Sequence, residues 1–254
     1  MKHLLYIIGI AFLLTHICSC ENPDLQTDVI NTSFSTALTD GSTDSLLIEI
    51  NLEWPAKGLP PVTMQNIQRE LSTAIFGNEA TSTDINKVLE DYFSRQEKEY
   101  RLNINELKRV LPQGNDADGR YSWSETIEGN FIEAVNNMQS YLLHSYGYTG
   151  GAHGIDSEKG FTFDLSHGKR ITESNLFIPE YKSALSKLLS EELPKAVQKD
   201  VYDMLFIKTI EPNGNFIVDT EGITYIYERY EIGPYVSGIV RVSVPWDKLE
   251  HILK

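Results

Sequence analysis

The chain has 254 residues, 41% of them hydrophobic and 23% charged, an ordinary balance for a globular protein with room for one large or two small cores. Its 36 acidic and 22 basic side chains leave a formal charge of −14, and no run of Lys and Arg interrupts that excess, which excludes a phosphate-neutralising nucleic-acid surface. Both cysteines, Cys18 and Cys20, lie close to the start, so the rest of the chain has no thiol for a disulfide framework, a thiolate zinc site or a cysteine nucleophile.

Lys2 and His3 precede an apolar run at 4–14, and Ile17-Cys18-Ser19-Cys20 follows. The run falls short of the roughly 20 residues a membrane-spanning helix needs and reads as an export signal. Its end resembles a bacterial lipobox, with aliphatic Ile17 three positions before Cys20 and small Ser19 just before it. That resemblance implies a signal peptide at 1–19, diacylation of Cys20 and anchoring to a membrane of the cell envelope, since two acyl chains hold where one does so only marginally. The alternative is an ordinary secretory signal cut nearby. Losing Lys2 with the signal leaves 21 basic against 36 acidic residues, a charge of 21 − 36 = −15.

Residues 20–26 form a short acidic tether. Strand-like runs at 28–38 and 45–54 flank Asp40-Gly41-Ser42-Thr43-Asp44, which has hairpin chemistry. Met64, Ile67, Leu71 and Ile75 make a helical stripe that stops near Gly77. A second helix starts after Thr83 and Asp84 and carries Ile85, Val88, Leu89, Tyr92 and Phe93, continuing through Tyr100 and Leu107 to Leu111. Residues 112–119 are a loop. Strands are expected at 121–127, 130–136, 140–148 and 161–165, and then a helix capped by Ser174 or Asn175, with Tyr181, Leu185, Leu188, Leu189 and Glu192 as its stripe and its end near Pro194. Strands at 206–210, 216–219, 223–228 and 236–244 precede a last helix opened by Pro245. Runs of strands with separate helices point to an α+β fold, antiparallel sheets with packed helices in two intimately associated subdomains.

Between two strand runs stands Tyr146-Gly-Tyr-Thr-Gly-Gly-Ala-His-Gly154. Gly150, Gly151 and Gly154 allow positive φ or close backbone approach, so the stretch reads either as a turn with a hydrogen-bonded His153 or as part of a binding site. With Phe163-Asp-Leu-Ser-His-Gly-Lys-Arg-Ile-Thr-Glu-Ser-Asn-Leu-Phe177 and Tyr230-Glu-Ile-Gly-Pro-Tyr-Val-Ser-Gly238, it resembles the paired domains of unknown function shared by PdaC and RsiV. The resemblance places an N-terminal domain at 27–154 and a C-terminal domain at 155–254. It implies an extracytoplasmic module that recognises a protein or a glycan, since the RsiV module binds lysozyme and the PdaC chemistry belongs to a separate deacetylase domain with no counterpart here.

A binding surface is therefore expected on the two glycine-bearing turns, with Tyr146, Tyr148, Gly150, Gly151, His153, Gly154, Tyr230, Pro234 and Tyr235 as its residues, because loops on a rigid scaffold carry function and tyrosines supply aromatic area with a hydroxyl. Tyr225 and Tyr227 alternate within a strand and are expected in the core. The competing reading is a cell-wall hydrolase or esterase. His144, His153 and His167 would be its metal ligands, but no His-Glu-x-x-His helix, Gly-x-Ser-x-Gly elbow or phosphate loop occurs. Carboxylates such as Glu125 and Glu128 would need to face each other across a cleft to serve a glycosidase. The expectation is a non-catalytic binding protein without metal or cofactor.

Overall fold

The computed structural model describes residues 25–80, 82–110 and 119–254; the expected signal, Cys20 and residues 20–24 of the expected tether lie outside them, as does most of the 112–119 loop. Two sheets organise the chain. The larger runs β1-β2-β3-β4-β5-β6 in spatial order, from β1 (Gln26–Ala37) and β2 (Ser45–Lys57) through β3 (Trp123–Phe131), β4 (Met138–Tyr148) and β5 (Ile155–Asp164) to β6 (Lys169–Arg170). The smaller has β8 (Gly222–Tyr227) between β7 (Phe216–Val218) and β9 (Val240–Pro245).

Neighbouring strands are antiparallel except β2 and β3, which run parallel. That exception follows from what lies between them: α1 (Pro61–Phe76) and α2 (Ile85–Val110) carry the chain back so that β3 starts at the same end as β2. β2 alternates strictly, with Leu46, Ile48, Ile50 and Leu52 buried and Leu47, Glu49 and Asn51 exposed. Its buried face meets Ile67 and Leu71 of α1 and Val88, Leu89, Tyr92 and Tyr100 of α2 in the first core.

The second core lies between α4 (Tyr181–Ala196) and the smaller sheet, where Leu185, Leu189 and Leu193 meet Tyr225, Val240, Val242 and Val244. Each leucine fully buried there contributes about 1.5–3 kcal/mol. Every residue of β8 is buried, Tyr225 and Tyr227 included, because the sheet is covered on both faces.

The second covering is β5. Thr162 and Glu158 are buried on the face of β5 turned to the second unit, and Gly160 between them has no room for a Cβ, which would stand 2.3 Å from the Phe216 carbonyl oxygen. Polar side chains complete the seam. Asn215 accepts from the Gly160 N–H at 2.8 Å and donates to the Glu158 carbonyl at 2.9 Å, and Glu228 accepts from the Glu158 N–H at 2.9 Å. Thus the outer edge of β5 is satisfied by side chains, as an exposed strand edge requires. Ser140 on β4 does the same for β7, donating to the Val218 carbonyl and accepting from its N–H, both at 2.7 Å. Strand β5 begins at Ile155, where the expected C-terminal domain begins, yet it pairs along its length with β4 and belongs to the larger sheet.

Several elements differ from the sequence expectation. Residues 130–136 are not a separate strand: β3 runs to Phe131, and Asn136 and Asn137, at φ 47° and 61°, form the two-residue hairpin turn that only residues tolerant of positive φ can make. Thr172, not Ser174 or Asn175, caps a four-residue helix, α3 (Glu173–Leu176), through a capping box with Asn175. Helix α4 starts only after Glu180, and Pro194 lies within it, two residues before its end at Ala196. The expected strand at 206–210 is irregular chain following α5 (Lys199–Met204), a helix with no buried stripe to announce it. Residues 235–237 form a 3₁₀ turn ahead of β9, and α6 (Trp246–Leu249) follows Pro245.

Candidate functional site

The turn joining β4 to β5 and the turn between β8 and β9 meet at one end of the seam. Gly150 and Gly151, at φ 101° and 93°, reverse the chain after Tyr148, whose hydroxyl donates to the Gly151 carbonyl at 3.0 Å. His153 then stacks on Tyr235 with ring centroids 4.1 Å apart and an interplanar angle of 32°. The Tyr235 hydroxyl donates to the Gly154 carbonyl at 2.9 Å, tying the two turns together. Gly154 is buried under Tyr146, whose ring occupies the space a Cβ would need.

Arg229 holds this junction from below. Its guanidinium forks onto Asp156, with Nη2 at 2.9 Å from Oδ2 and Nε also bonded to Oδ1, and it donates to the Tyr235 carbonyl at 2.6 Å while lying 4.3 Å from that ring's centre. The Arg229 hydrogen bonds hold the Asp156 carboxyl below its ordinary range, and the same bonds raise Arg229. Two strand positions further in, Arg241 makes a second fork onto Glu158, at 2.7 and 2.5 Å. Neither carboxylate nor either arginine carries a sequence motif. Two acidic residues alternating on a strand beside a glycine turn, with one arginine just after β8 and one on β9, are the signal that could have found them.

The outer layer is aromatic. Tyr230, at φ 67°, projects from the β8–β9 turn with its ring 5.9 Å from Tyr235, and Tyr146, Tyr230 and His153 are exposed while Tyr148, Pro234 and Tyr235 are half-buried. The structure therefore brings Tyr146, His153, Gly154, Tyr230 and Tyr235 together, with Tyr148, Gly150 and Gly151 forming the adjoining turn. A non-glycine residue in the left-handed region costs about 1–3 kcal/mol unless its surroundings hold it there, a pattern that clusters at functional sites.

The three histidines go to separate partners. His144 stands 3.8 Å from Glu128, His153 stacks on Tyr235, and His167 bonds Asp164 at 2.6 Å. Among the described residues no three His, Cys, Asp or Glu side chains gather as a metal would require, and no helix is long and apolar enough to cross a membrane. Glu125 and Glu128 are three apart on β3 and so point to opposite faces. Glu125 faces inward, where burial raises its carboxyl and Tyr92 donates to it at 2.6 Å.

Residues 174–247 match the family model described as Protein of unknown function (DUF3298). The crystal structure of a DUF3298 family member from Bacteroides fragilis superposes with a TM-score of 0.81 at 27% identity, over 92% of this chain and 95% of that one. A DUF3298 family protein from Pseudomonas aeruginosa shares the fold, with a TM-score of 0.62 at 18% identity over 92% and 96% of the two chains. No curated protein matches.

Proposed function

We propose that this protein is a lipid-anchored component of the bacterial cell envelope that binds an extracytoplasmic protein or glycan through the joined β4–β5 and β8–β9 turns. The observation that carries the reading is the meeting of those turns: two separate glycine-bearing connections, one from each unit, converge on Tyr235 and leave Tyr146, His153 and Tyr230 exposed around it. Aromatic side chains on rigid turns lose little conformational entropy on contact, and they stack on protein side chains and sugar rings alike. The resemblance of the three motifs to PdaC- and RsiV-type domains supports recognition outside the cytoplasm, and the lipobox-like Cys20 supports a membrane anchor.

The test pairs fractionation with capture. The parent should sediment with membranes, and immobilised parent should retain a component of envelope extract or isolated peptidoglycan that a Tyr230→Ala variant of equal thermal stability retains at least tenfold less. A variant that retains the same component equally would refute the assignment of this face.

A further inference from the structure

Strand edges carry unpaired N–H and C=O groups that invite another strand, and folded proteins keep them short, charged or covered. Among the described residues, every edge but one follows that rule. β6 has two residues, Lys169 and Arg170. The outer edge of β5 is bonded by Asn215 and Glu228, and β7 by Ser140. β9 has six residues and ends on Pro245.

β1 is the exception. Its 12 residues contain no Lys, Arg, Pro or Gly, and they pair with β2 without interruption after Thr27. On its other side, among the described residues, nothing bonds the main chain of 26–36. The first core is half open along this edge: Ile30 and Phe34 pack on it while only partly buried, and Phe34 stacks on Phe93 of α2 at 5.1 Å. Asp28, spaced by two from Ile30 and so on the same face, is the only charged residue of the strand. It is exposed and, among the described residues, has neither an ion pair nor a side-chain hydrogen bond.

We propose that β1 pairs antiparallel with β1 of a second copy of this chain, about a two-fold axis through Thr32, joining the two larger sheets into one. That register sets Ile30 opposite Phe34 and Thr32 opposite itself, side-chain pairs of the kind that stabilise sheets. It also sets Asp28 opposite Thr36, whose hydroxyl accepts from Arg101 at 2.9 Å. Arg101 has five N–H groups, and its bonds to Glu97, Thr36 and the Leu38 carbonyl use four of them. The fifth is left for Asp28 of the other copy, and symmetry makes that pairing twice. Moving the axis to Asn31 puts the Asp28 carboxylate against the Phe34 ring, and moving it to Ser33 puts it against buried Leu38, both poor places for a charge. A second copy thus supplies a complement that an arbitrary strand would lack.

Space and charge admit the pairing. α2 reaches Phe34 of β1 through Phe93, and Glu125 and Trp123 of β3 through Tyr92 and Tyr100, so its axis rides over β2. β2 and its copy would lie three strand spacings apart, roughly 14 Å. Packed helices need only about 8–10 Å between axes, so the two α2 helices clear each other. Glu49 and Glu53 on the outer face of β2 are then at least that far from their copies, beyond the screening length of about 8 Å.

The test expresses Thr32→Cys in the full chain, oxidises the cells with copper phenanthroline and maps disulfides by mass spectrometry. The expected product is a dimer linked between the two copies of position 32, whose Cα atoms would stand about 4.5–5.5 Å apart, within disulfide reach. Asp28→Cys should link at least tenfold less, because its copies lie eight strand steps apart, about 26 Å. Adding Asp28→Lys to Thr32→Cys should cut the dimer at least threefold with an unchanged circular dichroism spectrum. Asn31→Cys with Ser33→Cys, at two exposed positions, should link position 31 of one copy to position 33 of the other, and this pair carries the test if Thr32→Cys does not fold. A link from these positions to another polypeptide, equal yields from positions 28 and 32, a dimer undiminished by Asp28→Lys, or no dimer would each overturn the proposal.

Discussion

Replacing Gly160 with Ala is the sharpest perturbation of the seam. Gly160 lies in β5 at a φ any residue adopts, so the substitution costs no backbone strain, and its whole effect is steric. The new methyl would stand 2.3 Å from the Phe216 carbonyl oxygen, 2.5 Å from its carbon and 2.9 Å from Ile217 Cγ2. Ordinary contact begins near 3.4 Å, so β7 must retreat by about 1 Å. That retreat stretches the bonds from Asn215 to Gly160 and Glu158 and from Ser140 to Val218. Overpacking of this kind costs about 1–3 kcal/mol before any hydrogen bond is lost, and in a chain of this size 2 kcal/mol lowers the melting temperature by roughly 4–8 °C. Urea unfolding of Gly160→Ala should show that loss beside Gly147→Ala, where nothing lies within 4 Å of an added Cβ and the change should stay within about 0.5 kcal/mol. Equal stability of the two variants would mean that β5 does not seat the second unit.

Three further outcomes follow from the same contacts. Ser140→Ala removes both bonds to Val218 and leaves a buried N–H and C=O unpaired, for an expected loss of about 2 kcal/mol or more by urea unfolding; no loss would show that the seam does not depend on them. Asp156→Asn should cost about 1.5–3 kcal/mol at pH 7 by breaking the Arg229 fork. Because the folded Asp156 carboxyl lies below its ordinary 3.8, its stabilisation is full above that value and is lost as pH falls through 3.8 and then through the lower folded value; urea unfolding at pH 7, 5 and 3 should show the parent's advantage at the first two and a closing gap at the third, and a constant gap would contradict the assignment. Cys20→Ala should leave unprocessed, unlipidated precursor on gels after labelling with a fatty acid, and a variant that matures and partitions into detergent like the parent would refute the lipobox reading.

Elements with a continuous stripe are legible in the sequence. Both helices of the first unit and the burial of Tyr225 and Tyr227 follow from periodicity, since a core on one face imposes it, and the hairpin around Gly41 from its turn chemistry. Asn136 closes the apparent strand at 130–136 because Val135 precedes it with apolar bulk, and only the positive φ of Asn136 and Asn137 reveals the turn. The 206–210 run misleads for a related reason: Phe206 and Ile207 look like strand core, but Leu205 and Ile210 are buried while those two are exposed. Exposure of apolar side chains such as Phe206 and Ile207 is not written in periodicity, while the glycine turns are marked by their own composition. The forks at Asp156 and Glu158 join residues more than 70 positions apart, a pairing that a single sequence does not encode locally.

Affinity measured beside stability is the most direct test of the face where the two turns meet. For the envelope component retained by the parent, His153→Ala with Tyr230→Ala should weaken binding at least tenfold, about 1.4 kcal/mol, while the melting temperature stays within about 1–2 °C, because both side chains are exposed. Unchanged affinity in a folded double variant would contradict the assignment and return these motifs to the role of turns.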